Sequence, residues 1–362
     1  MAKSHSSRGG LQGVGRVLGK IPGAAMIIPL FLGALINTFL PELLDIGSFT
    51  TALFRDGTGA LLALFFFCLG AQLDLRTAPV TLEKGFAILI GKVGIGIAIG
   101  LGVAFLAPGG TLFGLLPLAI IAAMTNSNSA LYVALTKQFG NASDRGAISV
   151  VAMNDGPFFT MIALGAAGLA SFPIEMLIGI LLPLFIGFFV GNVSGTAREF
   201  LKPGEALTIP FIGFVVGTGI DFGTFVQAGL PGALLGVMTV VFSGGAAMGV
   251  LWVIHVIRRR PKPARNLIAG AAESTTAGNA IATPAAITLV DPSFAGIEAV
   301  ATAQIAAATV ATAIIVPFLV AAISRWQDRR GVGPAQEDEW NFGRNREPAA
   351  EENPAPEESA VR

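Results

Sequence analysis

The chain has 362 residues, of which 53% are hydrophobic and only 13% are charged, and its mean hydropathy is +0.72. Soluble domains carry about 25% charged residues, so this composition excludes a soluble protein and predicts an all-α polytopic membrane protein. The formal net charge is zero, and we expect a lipid bilayer around the chain and no nucleic-acid partner.

Turn and charge signals divide the chain into ten apolar segments, each a candidate for a membrane helix. A basic segment, 1–20, precedes them, and a tail rich in Glu, Pro and Ala, 327–362, follows. The tail is predicted to be disordered because it holds too few apolar groups to form a core. The predicted spans are 23–40, 57–73, 86–107, 113–136, 146–170, 174–192, 206–220, 229–257, 265–290 and 296–323.

The distribution of Lys and Arg predicts how these spans are oriented. Loops rich in Lys and Arg stay in the cytoplasm. With the N-terminus inside, the cytoplasmic segments hold eighteen Lys and Arg residues, whereas the loops on the opposite side hold only Arg55. If one span were missed, every later loop would be assigned to the wrong side of the membrane and the asymmetry would be lost. The asymmetry therefore predicts ten spans with both termini in the cytoplasm.

Short sequence echoes occur in the same order in both halves of the chain. One pair joins "AAMTNSNSA" at 122–130 with "AAESTTAGN" at 271–279. The echoes indicate a duplication, with one five-span repeat over 21–171 and a second over 172–326. Because five is an odd number, the second repeat is expected to be inverted in the membrane, an architecture found in transporters.

The fourth and ninth segments are both interrupted by polar residues at matching places. Non-helical backbone at membrane depth survives only inside protein or beside a wet cavity, and Asn, Ser and Thr are better helix caps than helix interiors. We therefore predict a break in each segment, with two crossed, broken helices near the membrane centre. The alternative is that these side chains are ordinary interhelical contacts.

A helix end in such a break offers free N–H groups that suit a carboxylate, and the surrounding Asn, Ser and Thr side chains suit hydroxyls. The predicted ligand is therefore a small polyhydroxylated acid. The candidate substrate residues are Asn126, Ser127, Asn128, Ser129, Ser274, Thr275, Thr276 and Asn279, with Gln304 a weaker candidate.

Ionisable side chains within spans are costly and commonly functional. The predicted ion-coupling residues are Asp155, Glu273, Asn154 and Lys92. Of these, the buried carboxyl groups of Asp155 and Glu273 can bind and release a coupling proton. A fixed ion pair is the alternative role for both carboxyl groups. Lys92 either pairs with one of them or extends its ammonium group to the interface.

Several stretches in order resemble one known family, the bacterial 2-keto-3-deoxygluconate permeases. They are "KIPGAAMIIPLFLGALINTF", "FFFCLGAQLDL", "MTNSNSALYVAL", "NDGPFFTMIALGAAGLASF", "LPLFIGFFVGN", "ESTTAGNAIATP" and "VATAIIVPFLVAAISRW". The resemblance covers about residues 20–326. More remotely, the chain is similar to the bile-acid/sodium symporter-like group, which has five-plus-five inverted repeats. It implies proton-coupled import of 2-keto-3-deoxygluconate across the bacterial inner membrane by alternating access.

Other functions remain open at this stage. A sodium-coupled symporter of a different organic anion is the nearest alternative, and an oligomer is possible. A receptor that binds a sugar acid without transporting it is another. A membrane-embedded enzyme is less expected, because two His and one Cys cannot form a His/Cys metal site, and neither a cofactor nor a bound metal is predicted.

Overall fold

The structure is a computed structural model, and it describes residues 24–72, 79–171, 174–220 and 222–342. Within these ranges the chain is helical, with one isolated strand-like bridge between Leu112 and Leu115. The all-helical prediction is therefore confirmed. The α-helices are α1 (Ala24–Phe39), α2 (Ser48–Phe54), α3 (Thr58–Gln72), α4 (Pro79–Leu106), α5 (Pro117–Thr125), α6 (Ser129–Phe139), α7 (Ala142–Gly146), α8 (Ile148–Val151), α9 (Phe158–Ala166), α10 (Ile174–Val193), α11 (Gly195–Gly217), α12 (Phe222–Met238), α13 (Gly244–Ile257), α14 (Ile268–Ala272), α15 (Thr283–Val290), α16 (Ala295–Asp328) and α17 (Pro334–Phe342).

In the part of the chain that the structure describes, five helical stretches are long and apolar enough to cross a membrane. The number is seven if each of two bent helix pairs forms one span, and three shorter apolar helices remain. All of them overlap the predicted segments in the same order, which establishes a multi-pass membrane protein, while the count of ten spans stays a prediction. The long stretches are Pro79–Leu106, Pro117–Phe139, Gly195–Gly217, Val226–Ile257 and Pro292–Asp328; the bent pairs are Ser48–Phe54 with Thr58–Gln72 and Ala142–Asn154 with Phe158–Ala166; the short helices are Ala25–Phe39, Leu181–Val193 and Asn279–Val290.

The helices pack in two groups. In the first group, α1 and α3 lie against α11, and α3 also lies against α10. The second group contains α4, α5, α6, α9 and α12 to α16, with its closest pairs between α12 and α16 and between α4 and its neighbours α5 and α13. The groups meet where α3 contacts α15 and where α11 contacts the 3-10 turn Asn279–Ala282. Both interrupted segments therefore lie in the second group, beside the contact with the first.

Glycines allow the helices of the first group to approach one another closely. A Cβ atom at Gly33 or Gly217 would overlap the backbone of the opposite helix where α1 crosses α11. The same holds at Gly70 and Gly187, where α3 crosses α10. Small residues of this kind drive helix association in membranes, where van der Waals packing replaces the hydrophobic effect. Direct contact between backbones therefore contributes to the packing of the first group.

The C-terminal region differs from its prediction. Composition predicted disorder over 327–362, yet α16 continues to Asp328 and α17 forms a further helix in which Glu337 is 0% exposed. Buried cations and amides compensate the Glu337 carboxylate, and this compensation cannot be read from local composition. Residues 343–362 and the N-terminal segment 1–20 lie outside the described residues, and the proposed repeat boundaries at 21–171 and 172–326 stay predictions.

Candidate functional site

The fourth segment is broken where the sequence predicts. Helix α5 ends at Thr125, Asn126 has an extended backbone (φ −87°, ψ 151°), and α6 starts at Ser129. Asn128 caps α6, because its Oδ1 accepts a hydrogen bond from the N–H of Leu131 at 3.1 Å. The polar run therefore ends one half-helix and caps the next, as its composition indicates.

The ninth segment is broken at the matching place. Helix α14 has only five residues and ends at Ala272, and the chain is non-helical until the 3-10 turn Asn279–Ala282 leads into α15. A neighbouring helix supports this unwound backbone, since the Thr312 hydroxyl accepts the N–H of Thr276 at 3.1 Å. These contacts allow an unwound stretch to remain at depth in the protein.

The two breaks face each other and are joined by hydrogen bonds. The Ser127 hydroxyl donates to the Glu273 carboxylate, and the N–H of Asn128 donates to the Thr275 hydroxyl at 2.9 Å. The Ser274 and Thr275 side chains are each 0% exposed. The structure therefore brings the predicted residues of both halves together in one buried polar cluster, which we call the break site.

Lys92 lies at the centre of the break site. Its ammonium Nζ is 3.1 Å from Glu273 Oε1, and it donates to the backbone carbonyls of Glu273 at 2.9 Å and of Thr275 at 2.6 Å. The side chain is 0% exposed, so pairing with Glu273, and not an extension to the interface, is the observed arrangement. The lysine thus satisfies two carbonyl groups that the unwound chain leaves without helical partners.

A second carboxylate adjoins the break site through the fifth segment. The Ser129 hydroxyl donates to Asp155 Oδ2 at 2.9 Å, and Asn126 Oδ1 accepts the N–H of Gly156 at 2.7 Å. Gly156 has a φ of +98°, in the left-handed region that favours glycine. This turn places Asp155, which is 2% exposed, next to the start of α6.

Several buried polar atoms of these residues have no hydrogen-bond partner within the described chain. Buried polar groups are nearly always paired, so a group of exceptions calls for an explanation. Their grouping around the breaks indicates hydrogen-bonding capacity available to a ligand or an ion. The atoms are Asn154 Nδ2 and Oδ1, Asp155 Oδ1, Glu273 Oε2, Ser274 Oγ, Asn279 Oδ1 and Thr283 Oγ1.

A narrow cavity borders the break site on the side of the first helix group. Its volume is about 10 Å³, and Gly156, Asn279, Thr283 and Phe66 contribute to its walls. A space of this size holds about one water molecule, so the predicted polyhydroxylated acid does not fit there without movement of the helices. Binding of a ligand of that size requires the walls of this cavity to separate.

Two larger cavities lie beside opposite ends of α3. One, of about 210 Å³, is bordered by Gly59 and Phe66, and the other, of about 520 Å³, is bordered by Leu69 and Asp155. Phe66 also lines the narrow cavity, and its ring centroid is 5.0 Å from that of Phe158. Phe66 therefore borders both the narrow cavity and the 210 Å³ cavity, while Asp155 borders the 520 Å³ cavity.

Gln304 does not join the break site. Its Nε2 donates to the carbonyl of Gly114 at 2.6 Å, and its Oε1 accepts the N–H of Leu116 at 3.2 Å. Both polar atoms of the side chain are thus used to hold the loop that precedes α5. These contacts give Gln304 a structural role, and its predicted part in substrate binding has no support from this geometry.

Comparison with known proteins identifies the family. The family described as 2-keto-3-deoxygluconate permease matches residues 16–329. The chain is 47% identical over 315 residues to 2-keto-3-deoxygluconate permease 1 of Salmonella typhimurium, covering 87% of this chain and 96% of that protein. The permeases of Xanthomonas axonopodis pv. citri and Bacillus subtilis are 37% and 36% identical, over 86% of this chain in each case and 97% and 92% of their own lengths. The chain belongs to the 2-keto-3-deoxygluconate permease family.

Membership in this permease family makes the chain a membrane transport protein rather than an enzyme. The matched range includes every residue of the break site and ends before α17. Among the described residues, no group of three or more His, Cys, Asp or Glu side chains could hold a metal ion. The polar cluster therefore belongs to the part of the chain that defines the permease family.

Sequence reasoning missed the side chains that support the breaks from neighbouring helices. Ser243 Oγ donates to the carbonyl of Met124 at 3.0 Å, and Thr309 Oγ1 donates to the carbonyl of Ala277 at 3.0 Å. Ser243 ends a π-helical turn between α12 and α13, a feature that often marks functional sites. The signal available in the sequence was a few hydroxyl residues inside otherwise apolar helices.

Proposed function

We propose that this protein is a secondary active transporter that imports 2-keto-3-deoxygluconate with protons. The observation that carries the proposal is the break site, where two interrupted helices present unpaired polar atoms around Lys92, Glu273 and Asp155. Family membership supports the substrate, because the relatives carry the name 2-keto-3-deoxygluconate permease.

The chemistry of the break site suits a sugar acid. The carboxylate of the substrate would meet the N-terminal end of α6 and the positive charge of Lys92, both of which favour an anion. The hydroxyls would bond to the side chains of Ser274 and Asn279, whose Oγ and Oδ1 atoms are without partners in the described chain. Ser127 and Thr275 bond to the opposite break, and they would orient these groups.

Proton coupling would use the two carboxylates of the site. In the observed arrangement Glu273 is paired with Lys92, while Asp155 accepts a hydrogen bond from Ser129. A proton bound at either carboxylate would change the charge that the incoming substrate anion meets. Substrate and proton would then bind more favourably together than separately, which is thermodynamic coupling between the two.

The proposed architecture is ten membrane spans in two inverted repeats, with both termini in the cytoplasm. The first helix group contains the first two predicted spans of each half, and the second contains the last three of each half. Alternating access would follow from movement of the second group against the first. That movement would connect the break site with the 210 Å³ cavity in one state and with the 520 Å³ cavity in the other.

Sodium coupling, with another organic anion as cargo, is the second candidate. It is favoured by the unpaired carboxylate and amide oxygens of Asp155, Asn154 and Glu273. Sodium binds such oxygens without needing a proton transfer. The two candidates differ in which ion gradient drives accumulation.

The test is uptake of labelled 2-keto-3-deoxygluconate into proteoliposomes that contain the purified protein. A pH gradient, acidic outside, is imposed in one arm, and a sodium gradient at equal pH is imposed in the other. Accumulation in the first arm alone is expected. Accumulation in the second arm alone would replace protons by sodium, and no uptake in either arm by folded protein would refute the proposed substrate.

The coupling role of the carboxylates is tested with Glu273→Gln and Asp155→Asn. Each variant is expected to lose accumulation driven by the gradient while exchange of labelled for unlabelled substrate persists in part. Glu175→Gln is the matched control, because Glu175 is an exposed carboxylate at the start of α10. Unchanged accumulation in both site variants would remove these two residues from the coupling role.

A further inference from the structure

A second buried polar cluster lies outside the break site, where α17 packs against the ends of other helices. Glu337 of α17 is 0% exposed, and both of its carboxylate oxygens are bonded. It accepts from Lys84 Nζ at 2.7 Å, Arg260 Nη1 at 2.8 Å, Asn141 Nδ2 at 3.0 Å and Asn266 Nδ2 at 3.0 Å. One carboxylate thus joins four donors from four separate parts of the chain.

The donors come from both halves of the chain. Lys84 and Asn141 belong to the first predicted repeat, and Arg260 and Asn266 belong to the second. The elements that carry them, α4, the α6–α7 connection and the chain between α13 and α14, all belong to the second helix group. Glu337 therefore ties the two halves of that group together, and it has no bond to the first group among its described partners.

Without the carboxylate of Glu337, the positive charges of Lys84, Arg258 and Arg260 would face only the carboxylates of Asp144 and Glu83 among the described residues. Lys84 also contacts Asp144 Oδ1 at 2.5 Å, and Arg260 Nη2 also contacts Glu83 Oε1 at 3.2 Å. Lys84 and Asp144 are 1% and 0% exposed. Since a buried charge that loses a partner is strongly destabilised, Glu337 helps to hold Lys84 and Arg260, and the helix ends that carry them, in place.

The cluster connects directly to α14, one of the two half-helices that end at the break site. Asn266 Oδ1 accepts the N–H of Ile268, the first residue of α14, at 3.0 Å. Because α14 has five residues and a helix rises 1.5 Å per residue, Glu273 lies about 7.5 Å beyond Ile268 along the helix axis. Asn266 is therefore separated by only one short helix from the carboxylate that pairs with Lys92.

The cluster also connects to α6, the half-helix that begins at the break site. Asn141 follows the end of α6 by two residues, and its Nδ2 donates to Glu337. Within α6, the Tyr132 hydroxyl donates to the carbonyl of Asp144 at 2.7 Å, and Tyr132 is 0% exposed. The far ends of both half-helices are thus fixed by one set of contacts.

We propose that Glu337 is a positioning residue for substrate binding, which holds the half-helices α6 and α14 in register with each other across the break site. The inference rests on the proposed function for its effect on the substrate. The residue acts from α17, beyond the range 16–329 that the permease family matches. A helix outside the range that the permease family matches thereby sets the geometry of the break site within that range.

The test compares Glu337→Gln with Glu339→Gln in the full-length protein. Glu339 lies on the same helix and is exposed, so its substitution removes the same charge without touching the cluster. Hydrogen–deuterium exchange is measured without substrate over peptides 126–139 and 266–279. In Glu337→Gln, exchange at both peptides is expected to rise about tenfold or more, because one charged hydrogen-bond network is broken, while peptides from α11 and the Glu339→Gln protein keep wild-type exchange.

Uptake kinetics give the second readout. For Glu337→Gln the KM for labelled 2-keto-3-deoxygluconate is expected to rise severalfold, with a maximal rate per folded transporter within about twofold of wild type. A wild-type KM, or an exchange increase confined to 334–342 or spread equally over α11, would overturn the positioning role. If the wild-type protein takes up no 2-keto-3-deoxygluconate, the proposed function fails and the exchange result alone decides the inference.

A shorter carboxylate keeps the test decisive if Glu337→Gln yields no folded protein. Glu337→Asp retains the charge, but its side chain is one methylene shorter and cannot reach all four donors together. The same rise in exchange at 126–139 and 266–279 is then expected, and wild-type exchange in this variant would overturn the inference.

Discussion

Replacing Lys92 by methionine tests how the break site is held together. Methionine keeps most of the apolar stem and removes the ammonium group, so little change in packing volume is introduced. The change leaves the carbonyls of Glu273 and Thr275 without their donor and the buried Glu273 carboxylate without its 3.1 Å partner. Ser127 remains as the one hydrogen-bond donor to that carboxylate among the described residues.

The expected loss follows from these contacts. Removing one partner of a buried ion pair costs about 3–5 kcal/mol, and a buried carbonyl left unpaired costs about 1–3 kcal/mol. The contributions overlap, because all three contacts involve one ammonium group, so we expect a total of about 3–5 kcal/mol. The double variant Lys92→Met/Glu273→Gln removes the uncompensated charge and is expected to lose less than the sum of the two single changes.

The free energy of unfolding is measured by equilibrium unfolding in mixed detergent micelles, followed by tryptophan fluorescence. Lys137→Met is the control, since Lys137 is an exposed lysine in the last turn of α6. A structural role of Lys92 is refuted if Lys92→Met lowers the free energy of unfolding by less than about 1 kcal/mol, the size of an ordinary substitution, or by no more than Lys137→Met. Additive losses in the double variant would refute the pairing with Glu273.

Two further predictions concern the turns at Gly156 and Asp291. At Gly156 the φ is +98°, and the ring of Phe66 would lie 2.7 Å from an added Cβ. Gly156→Ala is therefore expected to lower the free energy of unfolding by at least about 1–2 kcal/mol and to reduce uptake. Gly94→Ala, where an added Cβ meets no atom within 4 Å, is expected to be neutral or stabilising, and equal thermal stability of the two variants would contradict this prediction. Hydrogen bonds from Ser293 and from the N–H of Ser171 hold the pKa of the Asp291 carboxyl below its ordinary value. These hydrogen bonds to the ionised carboxylate therefore stabilise the folded protein above about pH 4, and the stabilisation is lost as the pH falls through the lowered pKa. The melting-temperature difference between wild type and Asp291→Asn is therefore expected to be present at pH 6 and to disappear in acid, and a difference independent of pH would disprove the role of the charge.

Local composition was sufficient to predict the helices and the two breaks. The run from Thr125 to Ser129 could be interpreted without a structure, because these residues are poor helix interiors and good caps. Its match with the run that follows Glu273 also predicted that the two breaks belong together, and the hydrogen bond between Asn128 and Thr275 bears this out.

Contacts between distant parts of the chain could not be predicted in the same way. Glu337 lies in a segment whose composition indicates disorder, and only the folded chain brings it to Lys84 and Arg260. The offset that aligns 122–130 with 271–279 places Gln304 opposite Asp155, and on that ground Gln304 was a candidate substrate residue. Its side chain instead bonds to the loop before α5, a choice that depends on packing and not on sequence pattern.

The glycine contacts of the first helix group have a mechanical consequence. Where α1 crosses α11 and α3 crosses α10, backbones touch without intervening side chains at Gly33, Gly217, Gly70 and Gly187. At such a crossing no side chain can change its rotamer to accommodate a displacement, so we expect the helices of the first group to move together as one rigid unit. Strain produced by ligand binding would then be released at its boundary with the second group, which concentrates motion beside the bound solute.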